Sequence, residues 1–217
     1  MGSYYYLMAQ LPYLFYDQKP PMSSYAFKDL ARPFLSKTDY TLLEGLSLEP
    51  DKKAPVCADP DAAHKKASLT GCKFIDNWYA WERDLRFNVA IHRSKKLHRD
   101  TGELLNDYQS CSHSYPATLK DVAAVAATVV NHEGNPLEDE IFFDRERWST
   151  IDTLAGNDYF NRNNVFAYYL KILLLERHIL FNAEVGFSEY KSLYAQIIES
   201  PHEYIKDSGH NSTGEHK

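Results

Sequence analysis

The sequence predicts an all-α fold, a bundle of about six to seven helices of which some are long. Apolar residues recur at spacings of three and four along most of the chain, as on the buried face of a helix. Residues typical of helix starts and stops separate these runs. Only Tyr4–Ala9 has the composition of a β-strand, and one strand cannot form a sheet.

Two short helices are predicted near the start of the chain. Ser23 and Ser24 precede the first, which is expected to end near Pro33. Ser36 and Asp39 have the spacing of a capping box at the start of the second, which Pro50 should close. Residues 1–48 thus form an N-terminal helical segment. Residues 49–69 are predicted to be a linker loop, since they are rich in proline and poor in apolar residues.

The longest predicted helix runs from Thr70 to about Arg99, roughly 28 residues or about 40 Å. One face carries residues spaced by three and four, namely Phe74, Trp78, Trp81, Leu85 and Asn88. A small apolar helix is expected over 119–130. Asn135 and Pro136 then mark the start of another helix, and Gly156 its end.

The stretch VFAYYLKILLLERHILF, residues 165–181, is apolar enough to raise the question of a membrane span. A span needs roughly 20 consecutive apolar residues, and here Lys171, Glu176, Arg177 and His178 interrupt the run. A core helix buried on most sides is the favoured interpretation. Lys171 with Glu176, or Arg177 with an aspartate elsewhere, should supply the ion pairs that buried charges require.

Ser188 is expected to cap a last helix, and residues 201–217 are predicted to be a disordered tail. Residues 70–200 should therefore form one helical bundle that packs with the N-terminal segment as a single domain. The formal net charge of −6 argues against a nucleic-acid binder. Three scattered cysteines and the absence of a leader pattern favour a cytoplasmic location.

No nucleotide-binding or hydrolase motif occurs, so the sequence predicts a protein that is not an enzyme and has no cofactor. A di-metal bundle site would need Glu-x-x-His on two helices, and no glutamate here has a histidine three residues later. No metal site is expected. An alternative kept open is a helical enzyme with a bundle-core site around Glu176, His178, Arg83 and Arg86.

Candidate partner-binding residues come from two features. Tyrosine is enriched at protein interfaces, and the N-terminal segment carries an unusual number, namely Tyr4, Tyr5, Tyr6, Tyr13 and Tyr16. A role for these tyrosines in the core is equally compatible with the sequence. The basic run 92–99 includes Arg93, Lys95 and Lys96, which would suit an acidic partner. Cations also offset the helix dipole at a C-terminus, and that structural interpretation is favoured.

Two stretches carry a family resemblance: YYYLMAQLPYLFYDQKPPMSSYAF near the N-terminus and residues 135–187, which begin NPLEDEIFFDRERW. They resemble an uncharacterised bacterial family encoded in operons for V/A-type ATPases. That family is similar in turn to a shortened form of the V-type ATPase C subunit, called d in eukaryotes. The C subunit is an all-helical funnel of repeated units that joins the central stalk to the membrane ring.

The resemblance implies a non-catalytic subunit, or an assembly or coupling factor, of a bacterial proton- or sodium-translocating V/A-type ATPase. The implied partners are the central-stalk and membrane-ring subunits. The implied location is cytoplasmic, peripheral to the inner membrane through the ATPase complex, with no membrane span of its own. The alternatives are the bundle-core enzyme and a cytoplasmic adaptor unrelated to ATPases.

Overall fold

The structure, a computed structural model, describes residues 3–48, 71–110, 116, 118–130, 136–181, 187–188 and 191–195. These residues form helices and no strand, so the predicted all-α fold class is confirmed for them. The helices with defined bounds are α1 (Ser3–Gln10), α2 (Ser24–Ala31), α3 (Lys37–Gly45), α4 (Lys73–Lys96), α5 (Gly102–Ser110), α6 (Val122–Val130), α7 (Pro136–Ala155) and α8 (Arg162–Leu180).

The chain divides into two compact units, residues 1–179 and residues 180–217. The first unit contains α1 to α7 and all of α8 except its last residue. In the second unit, residues 187–188 and 191–195 are helical, and the Lys191 ammonium lies 4.5 Å from the centre of the Phe187 ring.

Side-chain caps start α2 and α3 at the predicted serines. The Ser23 hydroxyl accepts a hydrogen bond from the amide of Ala26 at 3.1 Å, and the Ser36 hydroxyl accepts one from the amide of Asp39 at 3.1 Å. Each bond satisfies an amide that the first turn of a helix leaves without a partner. Helix α3 ends at Gly45 and not at Pro50, because the chain leaves helical geometry at Leu46.

Helix α4 lies at the centre of the first unit, where it packs against α5, α6 and α7. The residues predicted for its buried face, Phe74, Trp78, Trp81, Leu85 and Asn88, are all buried. Their spacing of three and four is the reason, since it aligns them along one side of the helix. The helix is 24 residues long, and the amide of its C-cap residue Leu97 bonds back to the carbonyl of Arg93 at 3.1 Å.

Helix α8 is the predicted core helix. Nine of its residues are buried, and its aromatic side chains join other helices to it. Phe166 stacks on Phe74 of α4 with ring centres 6.3 Å apart, and Tyr168 stacks on Phe27 of α2 at 5.3 Å. Among the helices of the described ranges, none combines the length and apolar composition that a membrane span requires.

Two helices differ from the sequence-based expectation. Residues Tyr4–Ala9, the one possible strand, lie in helix α1, because burial of Leu7 and Met8 on one face of the helix outweighs the β-propensity of the tyrosines. Helix α5 is not predicted by the sequence pattern. The linker 49–69 and the tail 201–217 fall outside the described residues, as does most of the helix expected after Ser188.

Candidate functional site

A buried ion pair joins α4 to α7 in the middle of the bundle. Glu82 and Arg147 are both buried, and their side chains meet in a fork. The Nε and Nη2 of Arg147 each donate to the Glu82 carboxylate at 2.9 Å. Arg86, one turn further along α4, donates to the same carboxylate at 2.8 Å. Two guanidinium groups therefore donate hydrogen bonds to one carboxylate.

The network continues to α8 through Asp144, which is completely buried on α7. Its Oδ1 accepts from Nη1 of Arg147 at 2.8 Å and lies 3.5 Å from Nη2 of Arg177. Arg177 also donates to Glu140 at 2.5 Å. Three carboxylates (Glu82, Glu140, Asp144) thus face three guanidinium groups (Arg86, Arg147, Arg177). Such balance is what permits charges to be buried.

The network shifts the pKa of its members in opposite directions. Burial alone would raise the pKa of Glu82, but the Arg147 and Arg86 guanidinium groups outweigh it and hold that pKa below its usual value. Burial dominates for Asp144 and raises its pKa in spite of Arg147 and Arg177. The Oδ2 of Asp144 is buried, and within the described ranges it has no hydrogen-bond partner. One carboxylate is therefore held ionised, and the other more readily takes up a proton.

The four residues of the alternative bundle-core site have different surroundings. Arg86 binds Glu82, as described above. Glu176 accepts a hydrogen bond at 2.7 Å from the amide of Ser24, where it interacts with the N-terminus of α2. His178 contacts the ring of Tyr16, with ring centres 5.3 Å apart. Arg83 has a nitrogen 3.7 Å from the buried carboxylate of Asp84.

The expected ion pairs of α8 are partly confirmed. Arg177 does pair with an aspartate, Asp144, and also with Glu140. Lys171 does not pair with Glu176. Its ammonium reaches Asp152 on α7 and lies 4.5 Å from the centre of the Trp148 ring. Glu176 instead accepts a hydrogen bond from the amide of Ser24 at the start of α2.

A cavity of about 200 Å³ opens beside Tyr16. The Tyr16 hydroxyl donates to the carbonyl of Ile141 at 3.0 Å, and burial together with the nearby Asp144 raises the pKa of Tyr16 to about 12. The lining residues come from the loop after α1 and from the end of α8: Tyr16, Asp17, Gln18, Lys19, Leu175, His178 and Ile179. In the part of the chain that the structure describes, no group of three or more His, Cys, Asp or Glu residues is placed to hold a metal ion.

Five aromatic side chains form an exposed cluster, here called the aromatic surface: Tyr5, Tyr6, Tyr13, Tyr159 and Phe160. Their exposed fractions are 52%, 65%, 80%, 38% and 41% respectively. Ring centres lie 5.8 Å apart for Tyr5–Tyr6, 4.6 Å for Tyr5–Phe160 and 5.4 Å for Tyr159–Phe160. Tyr13 is close enough to Tyr159 that, after burial, it contributes to raising the pKa of Tyr159. Contiguous exposed aromatic groups are typical of binding surfaces.

Bonds beneath the aromatic surface hold it in place. Leu7 and Met8 are buried on the opposite face of α1, and Leu11, the residue after the helix, is buried as well. Tyr4 donates to Asp39 at the start of α3, and Tyr168 of α8 donates to the carbonyl of Pro12 at 2.9 Å. Burial is the main cause that raises the pKa of both tyrosines to about 12. The aromatic surface is therefore organised before any partner binds, which lowers the entropic cost of binding.

The predicted partner-binding residues separate into three groups. Tyr5, Tyr6 and Tyr13 belong to the aromatic surface, whereas Tyr4 and Tyr16 are half-buried with their hydroxyl groups hydrogen-bonded inside the protein. Arg93, Lys95 and Lys96 are exposed at the end of α4. Sequence reasoning missed Tyr159 and Phe160. Their position in the loop after Gly156, beside the polar residues Asn157 and Asp158, is the signal that they are exposed.

Among known proteins, the chain matches a family model and nothing else that was compared. A protein-family model described as a protein of unknown function (DUF2764) matches residues 61–200. This range includes α4 to α8 and begins after α1 to α3. No curated protein and no solved structure matches the chain.

Proposed function

The chain belongs to the DUF2764 family of proteins of unknown function, and we propose that it acts by binding another protein through the aromatic surface, without catalysing a reaction. The observation that carries this proposal is the chain of ring contacts that joins four exposed aromatic side chains, Tyr5, Tyr6, Tyr159 and Phe160, on a preorganised base, with the exposed Tyr13 near Tyr159. Aromatic residues dominate the energetically important centres of protein interfaces. Exposing them without a partner would favour aggregation.

The buried charge network supports a structural role over catalysis. Each carboxylate of the network has a guanidinium partner, and the fork of Arg147 and Glu82 uses both oxygens of the carboxylate. A general acid or base needs access to substrate, and Glu82, Asp144 and Arg147 are buried. The network ties α4, α7 and α8 together and gives the bundle the rigidity that a mechanical component requires.

For the partner, we propose the central-stalk and membrane-ring subunits of a bacterial V/A-type ATPase, with this chain as a non-catalytic coupling or assembly factor at the inner membrane. The family resemblance of the two quoted stretches supports this assignment. The first stretch contains Tyr5, Tyr6 and Tyr13, and the second contains Tyr159 and Phe160. The aromatic surface is therefore built from the two segments that carry the resemblance.

The proposal is tested by affinity purification of the tagged chain from its own cells. We expect the wild-type protein to retain central-stalk or membrane-ring subunits, identified by mass spectrometry. The double variant Tyr6→Ser/Tyr13→Ser should retain them at least about tenfold less, since each interface anchor contributes on the order of 1–2 kcal/mol. Tyr25→Ser is the matched control, because Tyr25 is 74% exposed but lies in α2.

Two results would contradict parts of this account. If an intact and active ATPase is isolated from cells that lack the chain, it is not a required subunit. If the retained protein is unrelated to the ATPase but its retention still requires Tyr6 and Tyr13, the chain is an adaptor outside the ATPase. The aromatic surface would then still be the binding site.

A further inference from the structure

Helix α4 extends past the hydrophobic core at its C-terminal end. Its last buried residue is Ile91, and every residue from Lys95 to Asp100 is exposed. Helix α5 begins at Gly102 and packs back against α4, where the rings of Tyr108 and Phe87 have centres 6.0 Å apart. Residues 93–99, here called the α4–α5 tip, thus form the projecting end of a helical hairpin.

The backbone of the α4–α5 tip is fixed. The amide of His98 donates to the carbonyl of Lys95 at 3.0 Å, and the amide of Arg99 donates to the carbonyl of Ser94 at 2.9 Å. These are the two bonds of a Schellman motif, whose left-handed position is usually glycine. Here His98 occupies it with a φ of 52°, which is strained for a residue with a side chain. The motif presents Leu97 outward, 60% exposed.

The α4–α5 tip concentrates positive charge on a chain with a net charge of −6. Arg93, Lys95, Lys96 and Arg99 are all exposed, and within the described ranges Arg93, Lys95 and Arg99 form no ion pair. The nearest carboxylate in sequence, Asp100, accepts a hydrogen bond at 2.9 Å from the amide of Gly102, the first residue of α5. The helix dipole favours cations in the last turn, but Arg99 lies beyond it.

These charges lie on opposite sides of the helix end and not in one stripe. At about 100° per residue, Arg93 and Lys96 share one side of α4, and Lys95 projects from nearly the opposite side. Leu97 and Arg99 follow at the very end of the hairpin. An acidic helix or peptide would be matched by a stripe along one side. Cations on opposite sides of a helix end, with an exposed leucine beside them, match a flat anionic surface that is approached end-on and accepts one apolar side chain.

We propose that the α4–α5 tip binds the surface of a bilayer that contains anionic phospholipids. Each cation near such a surface strengthens binding about fivefold, and the attraction falls off within a Debye length. The bound state is a weak, reversible, salt-sensitive attachment through the end of one hairpin. This attachment uses none of the residues of the aromatic surface, so it can be tested independently of the proposed protein partner.

The test is co-sedimentation of the purified chain with lipid vesicles at low and physiological salt. We expect binding to mixed phosphatidylglycerol–phosphatidylcholine vesicles, little binding to pure phosphatidylcholine vesicles, and a steep loss of binding as salt is raised. Arg93→Ala/Lys95→Ala should lower the partition coefficient about 25-fold. Leu97→Ser should lower it a few-fold at unchanged charge.

The matched control is Lys37→Ala/Lys73→Ala, which removes two exposed lysines elsewhere and changes the net charge equally. This control should bind vesicles as the wild type does or lose less than about threefold, since these lysines lie outside the contact. An equal loss in both double variants would overturn the proposal. So would equal binding to both kinds of vesicle, or binding to soluble polyglutamate with no vesicle binding, which would assign the tip to an acidic protein.

Discussion

Replacing Glu82 with alanine is expected to lower the free energy of unfolding by about 3–5 kcal/mol. Glu82 is completely buried and accepts bonds from Arg147 and Arg86. Without Glu82, the buried Arg147 guanidinium keeps only its ion pairs with Asp144 and Glu140. The loss is measured by urea unfolding followed by circular dichroism. Glu82→Gln keeps the shape and should cost less, about 2 kcal/mol.

A double-mutant cycle separates the ion pair from simple loss of packing. Glu82→Met/Arg147→Met replaces both partners with apolar side chains. Its loss of unfolding free energy should be about 1–3 kcal/mol smaller than the summed losses of Glu82→Met and Arg147→Met. Arg86 is left without Glu82 but is partly exposed, so water can solvate it. Additive single effects would show that the fork does not couple α4 to α7.

The variant Glu82→Gln also tests how stability depends on pH, and the expected effect has a definite sign. The pKa of Glu82 is lower in the folded chain than its ordinary value of 4.5. Ionised Glu82 therefore stabilises the fold at pH values above about 4.5, and this contribution is lost as the pH falls through the folded pKa. We expect the unfolding free energy of Glu82→Gln to fall less steeply between neutral pH and pH values below 4.5 than that of the wild type. Asp144 acts in the opposite direction in both proteins.

Replacing Trp78 with alanine is expected to cost about 3–5 kcal/mol as well, because it opens a large cavity in the core. Trp78 is completely buried on α4, stacks on Trp81 with ring centres 6.1 Å apart, and donates from its indole to the carbonyl of Ser47 at 3.5 Å. It therefore fills the core and also ties the segment just after α3 to α4. Chemical unfolding of the purified variant measures the loss.

The neighbouring tryptophan provides a matched comparison. Trp81 is equally buried, but its indole nitrogen has no hydrogen-bond partner in the described part of the chain. Both Trp→Phe substitutions remove a similar volume, and only the one at position 78 also removes a hydrogen bond. We expect Trp78→Phe to be more destabilising than Trp81→Phe by about 1 kcal/mol. Equal losses would show that the bond to Ser47 contributes nothing.

The helices that follow a local rule were predictable from the sequence. The serine caps fix the starts of α2 and α3, and Gly156, with a φ of 73°, stops α7 where a left-handed residue is needed. The apolar spacing on α4 identifies its buried face because that signal needs no knowledge of the neighbouring helices. Helix α1 was missed because its tyrosines favour strands locally, and the burial that decides its conformation comes from other elements.

The candidate sites depend on contacts between distant segments, and for that reason the sequence did not predict them completely. Glu82 and Arg147 are 65 residues apart, and a charged residue in a helix is ordinarily read as exposed. Tyr5 and Phe160 are brought together only when the chain folds. The sequence pointed to Tyr5, Tyr6 and Tyr13 through their number alone. It contained no signal that would join them to Tyr159 and Phe160 or separate them from Tyr4 and Tyr16.

Photo-crosslinking in the native cells tests most directly whether the aromatic surface binds a protein. A photoreactive phenylalanine analogue is placed at Tyr13, 80% exposed within the surface, or at Tyr25, 74% exposed in α2. We predict that irradiation attaches one discrete protein to the chain from position Tyr13 and not from position Tyr25. No adduct from position Tyr13, or the same adducts from both positions, would contradict the claim that the aromatic surface is the binding site.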